Sequence, residues 1–128
     1  MAGSQQDARR RKLDILRLNH EQLDVYQAAV EFLGLTAPVA EDLSRGYAGL
    51  GEQLRRAALS ISLNIAEGYG KRGEADRCRF YDIARGSAHE CGAIMDVAQK
   101  LKLMEPHTFA SAKQLLHRIV SMLVKMVM

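Results

Sequence analysis

The sequence predicts an all-α protein, an antiparallel up-down-up-down four-helix bundle, and three observations carry that prediction. Apolar residues recur at alternating steps of three and four along four stretches, the period of one helix face. Aromatics make up 5% of the 128 residues and tryptophan is absent; packed helices suit this composition better than a sheet, which favours more aromatic and β-branched residues. Only two prolines occur, Pro38 and Pro106, so long helices are permitted. The length fits one domain with a single core.

Residues 1–18 read as a basic, partly disordered tail carrying Arg9, Arg10, Arg11 and Lys12, and residues 19–128 as the bundle domain. The first helix is expected over 20–43, with Leu23, Tyr26, Val30, Leu33, Ala37 and Ala40 as its seam. Within a regular helix the Pro38 ring meets the Gly34 carbonyl, which predicts a kink or short break between them. A glycine-rich loop follows over 44–51.

The second helix is expected over 50–69. Advancing about 100° per residue, Leu54, Ala57, Ala58, Ile61 and Ile65 fall in one arc, and Leu59, Leu63 and Ala66 fall nearly opposite. One small core cannot bury both faces, so the second is a candidate subunit contact. The third helix, over 74–103, has the seam Phe80, Ala84, Ser87, Cys91, Ile94, Ala98 and Leu101, a seven-residue repeat suited to shallow-angle bundle packing. The fourth begins at Pro106, a good first-turn residue. Its seam is Phe109, Ala112, Leu116, Ile119, Leu123 and Met126, widened by Leu115, Val120, Met122, Val124 and Val127 beyond what a monomer buries. Candidate oligomer-interface residues are therefore Leu59, Leu63, Ala66, Leu115 and Met122. Short connections between four such helices give the up-down-up-down order.

Charge and cysteine usage narrow the function classes. The net charge is +3, modest for a nucleic-acid protein. Residues 1–76 carry ten Lys and Arg against eleven Asp and Glu, whereas residues 77–128 carry eight against four. Cys78 and Cys91 lie thirteen positions apart on one expected helix, about 20 Å at ~1.5 Å per residue, too far for a disulfide. No secretory signal or membrane-spanning run is present, so the cytoplasm is the expected location and no membrane is expected as a partner. His20, His89, His107 and His117 are scattered, "GYAGLG" lacks the lysine and hydroxyl of a phosphate loop, and neither a metal nor a cofactor is expected.

The segment "SISLNIAEGYGKRGEADRCRF" sets Asn64 and Glu67 in an apolar helix and then breaks at Gly68 and Gly70. The glycines are expected at positive φ, ending the helix, with Lys71 and Arg72 placed where a helix C-terminus favours cations. Asn64 and Glu67, with Arg85 as the natural partner of Glu67, are expected to form a buried polar network that fixes helix or subunit register rather than to perform chemistry.

"LDVYQAAVEFL", "QLRRAALSISLNIAEGYGKR" and "RFYDIARGSAHE" resemble, in order and spacing, the signature segments of the four-helix-bundle proteins associated with 23S rRNA intervening sequences. The resemblance covers about residue 22 to the C-terminus. Departures are Ser62 in place of a usual proline, Leu63 in place of a small polar residue, and Cys91 and Gly92 in place of a leucine-glutamate pair. The resemblance implies a homo-oligomeric ring, a pentamer in the family's known cases, without established enzymatic activity. A related basic barrel of the same architecture serves reverse transcriptases of diversity-generating retroelements, binding the polymerase and nucleic acid.

Arg55, Arg56, Lys71, Arg72, Arg77 and Arg79, joined by the tail residues Arg9, Arg10, Arg11 and Lys12, are the candidate nucleic-acid-binding set, since phosphate contacts dominate such affinity. A ring multiplies a weak patch. RNA or DNA bound with little base specificity is the leading expectation for a non-enzymatic protein. The bland alternative is a solvated face with intrahelical pairs such as Glu52 with Arg56. A second class is a scaffold that binds a protein partner and no nucleic acid. The remote third is a helical-bundle ribonuclease in which His89 moves the proton and Arg85 stabilises phosphorane charge.

Overall fold

The structure is a computed structural model that describes residues 19–128. The tail expected over residues 1–18, with Arg9, Arg10, Arg11 and Lys12, lies outside the described residues. A short 3₁₀ turn, Asn19–Gln22, leads into four helices: α1 Asp24–Ser44, α2 Ala48–Tyr69, α3 Glu74–Lys100 and α4 Pro106–Met126. No strand occurs among the described residues. Each helix packs on two others, α1 on α2 and α4, and α3 on α2 and α4, with no diagonal pairing.

The core stripes of α2 and α4 lie where the periodicity puts them, except that Phe109 and Met126, the two ends of the expected α4 seam, are only half-buried. Leu54, Ala57, Ala58, Ile61 and Ile65 are buried from α2, and Ala112, Leu116, Ile119 and Leu123 from α4. In α1 the expected seam is rotated. Val30 is 44% exposed and Ala37 faces solvent, while Val25, Ala28, Ala29, Phe32, Ala40 and Leu43 fill the interior. Phe32 decides the rotation, because burying the largest apolar side chain of the helix gains most. In α3 the stripe holds from Ala84 to Ala98, but Tyr81 takes the buried place expected of Phe80, and Leu101 is exposed.

α1 runs unbroken through Pro38, so the expected break does not form. Gly34 and Pro38 both face solvent, where water can serve the carbonyl that Pro38 cannot. Nearby, the buried Thr36 hydroxyl donates to Phe32 O at 2.9 Å, satisfying itself inside its own helix.

The helix ends are individually built. α4 starts as expected at Pro106, and Glu105 caps it by accepting from His107 N and Thr108 N, both at 3.0 Å. These bonds hold the Glu105 carboxyl below its ordinary range. α3 stops at Lys100, short of the expected 103. Leu103 N donates to Ala98 O and Lys102 N to Gln99 O, with Lys102 at φ 59. That is the paired-bond helix stop usually completed by glycine, here carrying a lysine in the left-handed region. Among the described residues no helix is long and apolar enough to cross a membrane.

Candidate nucleic-acid interface

The α2–α3 connection gathers four of the six expected cations that lie among the described residues, and its glycines work differently from expectation. No glycine has positive φ among the described residues, and Gly70 sits at φ −77. Gly68 is buried inside α2, where an added Cβ would lie 2.9 Å from both Phe80 Cβ and Tyr81 Cε1. Its role is close approach of α2 to α3. Burial pushes the Tyr81 phenol above its ordinary value, with the Arg77 guanidinium pulling the other way.

Arg77 is spent on the loop itself. Its Nη1 donates to Arg72 O at 2.7 Å and to Lys71 O at 3.2 Å, tying the start of α3 to the connection. Lys71 Nζ stands 5.3 Å from the Phe80 ring centroid and the Arg79 guanidinium carbon 4.8 Å from the same centroid. Each exposed cation–π contact is worth about 0.5–1 kcal/mol, enough to bias where these long side chains rest. Arg79 also lies 3.8 Å from Asp76, and Arg72 is exposed. The hairpin therefore presents Lys71, Arg72 and Arg79 on a loop made firm by Arg77.

Arg55 and Arg56 do not join this group. They stand fifteen or more residues before Lys71 along α2, about 22 Å at ~1.5 Å per residue, toward the opposite end of the bundle. Arg55 pairs with Glu52, taking the carboxylate that the spacing assigned to Arg56. Arg56 instead borders a polar groove between α2 and α3 with Gln53, Ser60, Ser87 and Glu90.

Beside that groove lies the register contact, built from partly different residues than expected. Asn64 Nδ2 donates to Ser60 O at 2.8 Å and to Ser60 Oγ at 2.9 Å, and Ser60 Oγ shares a 2.8 Å hydrogen bond with Ser87 Oγ across the helix pair. Glu67 and Arg85 are both exposed, and no hydrogen bond or ion pair joins them. Asn64 belongs to the network; Glu67 and Arg85 do not.

Of the expected oligomer contacts, Leu59 and Leu63 stand 43% and 57% exposed on α2, and Ala66 is half-buried. Leu115 and Met122 are half-buried and pack against the core of their own chain, so much of α4's width is already used. The sequence reading overlooked Ile83 and Val97, both exposed on α3. With Glu90 they recur every seven residues beside the seam, which is the signal that would have found them.

His89 and Arg85 stand one turn apart on α3, both exposed, and do not line one groove. His89 borders a groove between α3 and α4 with His117, and Arg85 is not among the residues lining it. Among the described residues no group of three or more His, Cys, Asp or Glu is placed to hold a metal ion. Cys91 is buried, which pushes its thiol up to about 12, with Glu90 adding to the rise.

Comparison with known proteins then bears on this geometry. The family described as 23S rRNA-intervening sequence protein matches residues 21–125. Among solved structures, a protein of unknown function from the S23 ribosomal protein family of Bacteroides thetaiotaomicron VPI-5482 is similar in fold. Its TM-score is 0.75 at 19% identity, covering 80% of this chain and 97% of that one. No curated protein matches the chain.

Proposed function

The chain belongs to the 23S rRNA-intervening sequence protein family, and from that premise we propose a non-enzymatic, self-associating bundle that holds the phosphate backbone of nucleic acid. In this reading the helices alternate in direction, copies meet through Leu59 and Leu63, and each copy contributes one basic hairpin to a shared ring surface. The observation that carries it is the hairpin trio: Lys71 and Arg79 held on one Phe80 ring, with Arg72 beside them on a loop clamped by Arg77. Pre-placed cations lose less side-chain freedom when they meet a phosphate. The family's name puts structured RNA first among the nucleic acids to test, and the cytoplasm is the location that fits.

Light scattering and RNA-binding anisotropy test both halves. The expected results are an oligomeric mass that falls in Leu59→Glu/Leu63→Glu, and affinity that drops steeply between 50 and 200 mM salt, as counterion release requires. Charge reversal at Lys71, Arg72 and Arg79 should abolish binding, while reversal at Arg55 and Arg56 should weaken it less. A wild-type monomer at high concentration, or RNA affinity indifferent to salt, overturns the reading. A second reading, a scaffold for a protein partner, is favoured by the exposed Ile83 and Val97 on α3. It predicts partner capture that survives reversal of the hairpin charges and fails in Ile83→Glu/Val97→Glu.

A further inference from the structure

The groove between α3 and α4 contains chemistry that neither the hairpin nor the exposed leucines use. Its volume is about 360 Å³, within the span of about 300–1,000 Å³ typical of small-ligand sites. His89 and Asp96 reach it from α3, and Lys113 and His117 from α4; these are all the charged and titratable groups that line it. Gly92 opens the floor. A Cβ there would stand 3.8 Å from both Leu116 Cδ1 and Lys113 Nζ, so any longer side chain would occupy the groove.

The polar lining is one ion pair and two imidazoles. Lys113 Nζ is paired with Asp96 Oδ1 at 3.0 Å, with both side chains open to water. With neutral imidazoles the four groups sum to zero. With both imidazoles protonated there are three positive groups against one carboxylate, a net charge of +2. Histidine is the side chain whose charge changes across about pH 5–8, and a bound anion within about 4–6 Å favours its charged form. A phosphomonoester suits this setting, since its second ionisation falls near pH 6 and its organic part can lie on Leu116 and its apolar neighbours.

We propose that the α3–α4 groove binds a small organic phosphomonoester, its phosphoryl group held by His89, Lys113 and His117, with proton uptake by the imidazoles. The site lies apart from the α2–α3 hairpin, and the proposal does not rest on RNA binding there. Asp96 competes with the ligand for Lys113, which makes it a brake on affinity.

Proton NMR of the imidazole Cε1–H signals tests this directly, with adenosine 5′-monophosphate and inorganic phosphate as probes. His20 and His107 lie outside the groove and serve as internal controls. At pH 6.5 the nucleotide should move the His89 and His117 signals saturably while the controls stay still, and at pH 8.5 its affinity should be about tenfold lower. Inorganic phosphate should move the same pair with weaker affinity. Gly92→Glu, which fills the groove with a carboxylate, should abolish binding, and Asp96→Asn should tighten it several-fold. If Gly92→Glu fails to fold, Lys113→Met supplies the same loss. Absence of saturable change, equal movement of all four histidines, or binding retained in the folded Gly92→Glu variant overturns the proposal. Equal affinity for inorganic phosphate overturns the claim that the ligand is an organic ester.

Discussion

Replacing Gly51 with alanine should destabilise the bundle, although glycine-to-alanine changes inside helices usually do the opposite. Gly51 is the fourth residue of α2 and is buried against the end of α1. A Cβ there would fall 2.3 Å from Ser44 Oγ, 2.5 Å from Ala40 O and 2.8 Å from Ser44 N. The Ser44 hydroxyl is itself engaged, donating to Ala40 O at 2.8 Å. Rotating the serine away would relieve only the first clash; the other two involve backbone. Ordinary carbon contacts need about 3.5–4.0 Å, so α1 and α2 must part locally by roughly 1 Å, and a gap of that size forfeits up to about half of each contact's attraction. Overpacking of this kind costs about 1–3 kcal/mol, against a gain of about 0.5–1 kcal/mol from removing glycine from a helix. With backbone atoms in the way the upper end applies, leaving a net loss of about 2 kcal/mol. Gly86 provides the contrast, being exposed in α3 with nothing within 4 Å of an added Cβ. Gly86→Ala should therefore stabilise by about 0.5–1 kcal/mol. Both changes stiffen the unfolded chain alike, so their difference isolates the native contact. Urea unfolding followed by circular dichroism at one fixed protein concentration measures both. A Gly51→Ala protein as stable as Gly86→Ala would refute the close-approach argument.

Lys102→Gly should raise stability by about 0.5–1 kcal/mol in the same assay, because it removes a side chain from left-handed backbone; a loss would mean that the lysine stem is holding something. Glu105→Ala should destabilise α4 at neutral pH, with a hydrogen-exchange signature in its first turn. The Glu105 carboxyl is depressed in the folded state, so its contribution is complete above the unfolded carboxylate range and is lost as pH falls through the lowered folded value. The difference between wild type and Glu105→Ala should accordingly shrink on acidification, and a difference unchanged by pH would remove the cap from the account. Cys78 should react with a thiol reagent in the native protein well before Cys91, whose thiol is buried and pushed up to about 12. Equal rates would mean that α3 opens as readily as it closes.

The parts of this architecture that follow from periodicity alone were legible in the sequence. The regular three-and-four spacing marks one continuous apolar arc in α2 and another in α4 as core, and Pro106 marks a helix start by its geometry. α1 was ambiguous because Val30, Phe32, Leu33 and Leu35 are all apolar and crowd the same two turns, so only packing could choose between rotations. Gly68 illustrates a second ambiguity. A glycine serves either positive φ or close approach, and the choice depends on a side chain twelve or thirteen residues away that local reading does not place. At the candidate interface, Asn64 with Ser60 was readable as a one-turn spacing. Its continuation to Ser87 depends on the α2–α3 register. Arg77 looked like any other cation until its guanidinium was seen serving two loop carbonyls, and Lys102 occupies a backbone state that no lysine announces.

The hydroxyls along the helices carry one more consequence. Thr36, Ser44 and Ser62 each donate to a carbonyl of their own helix, while among the described residues only Ser60 and Ser87 reach from one helix to another through hydroxyl groups. The buried remainder of the α2–α3 contact is chiefly apolar packing, which many sets of similar volumes can imitate. Evolution is thereby left wide latitude in spelling the interior and very little in where the two serines fall. Relatives of this chain should drift far apart in letters while keeping one outline, and a shift of that stitch by one turn would give a different molecule.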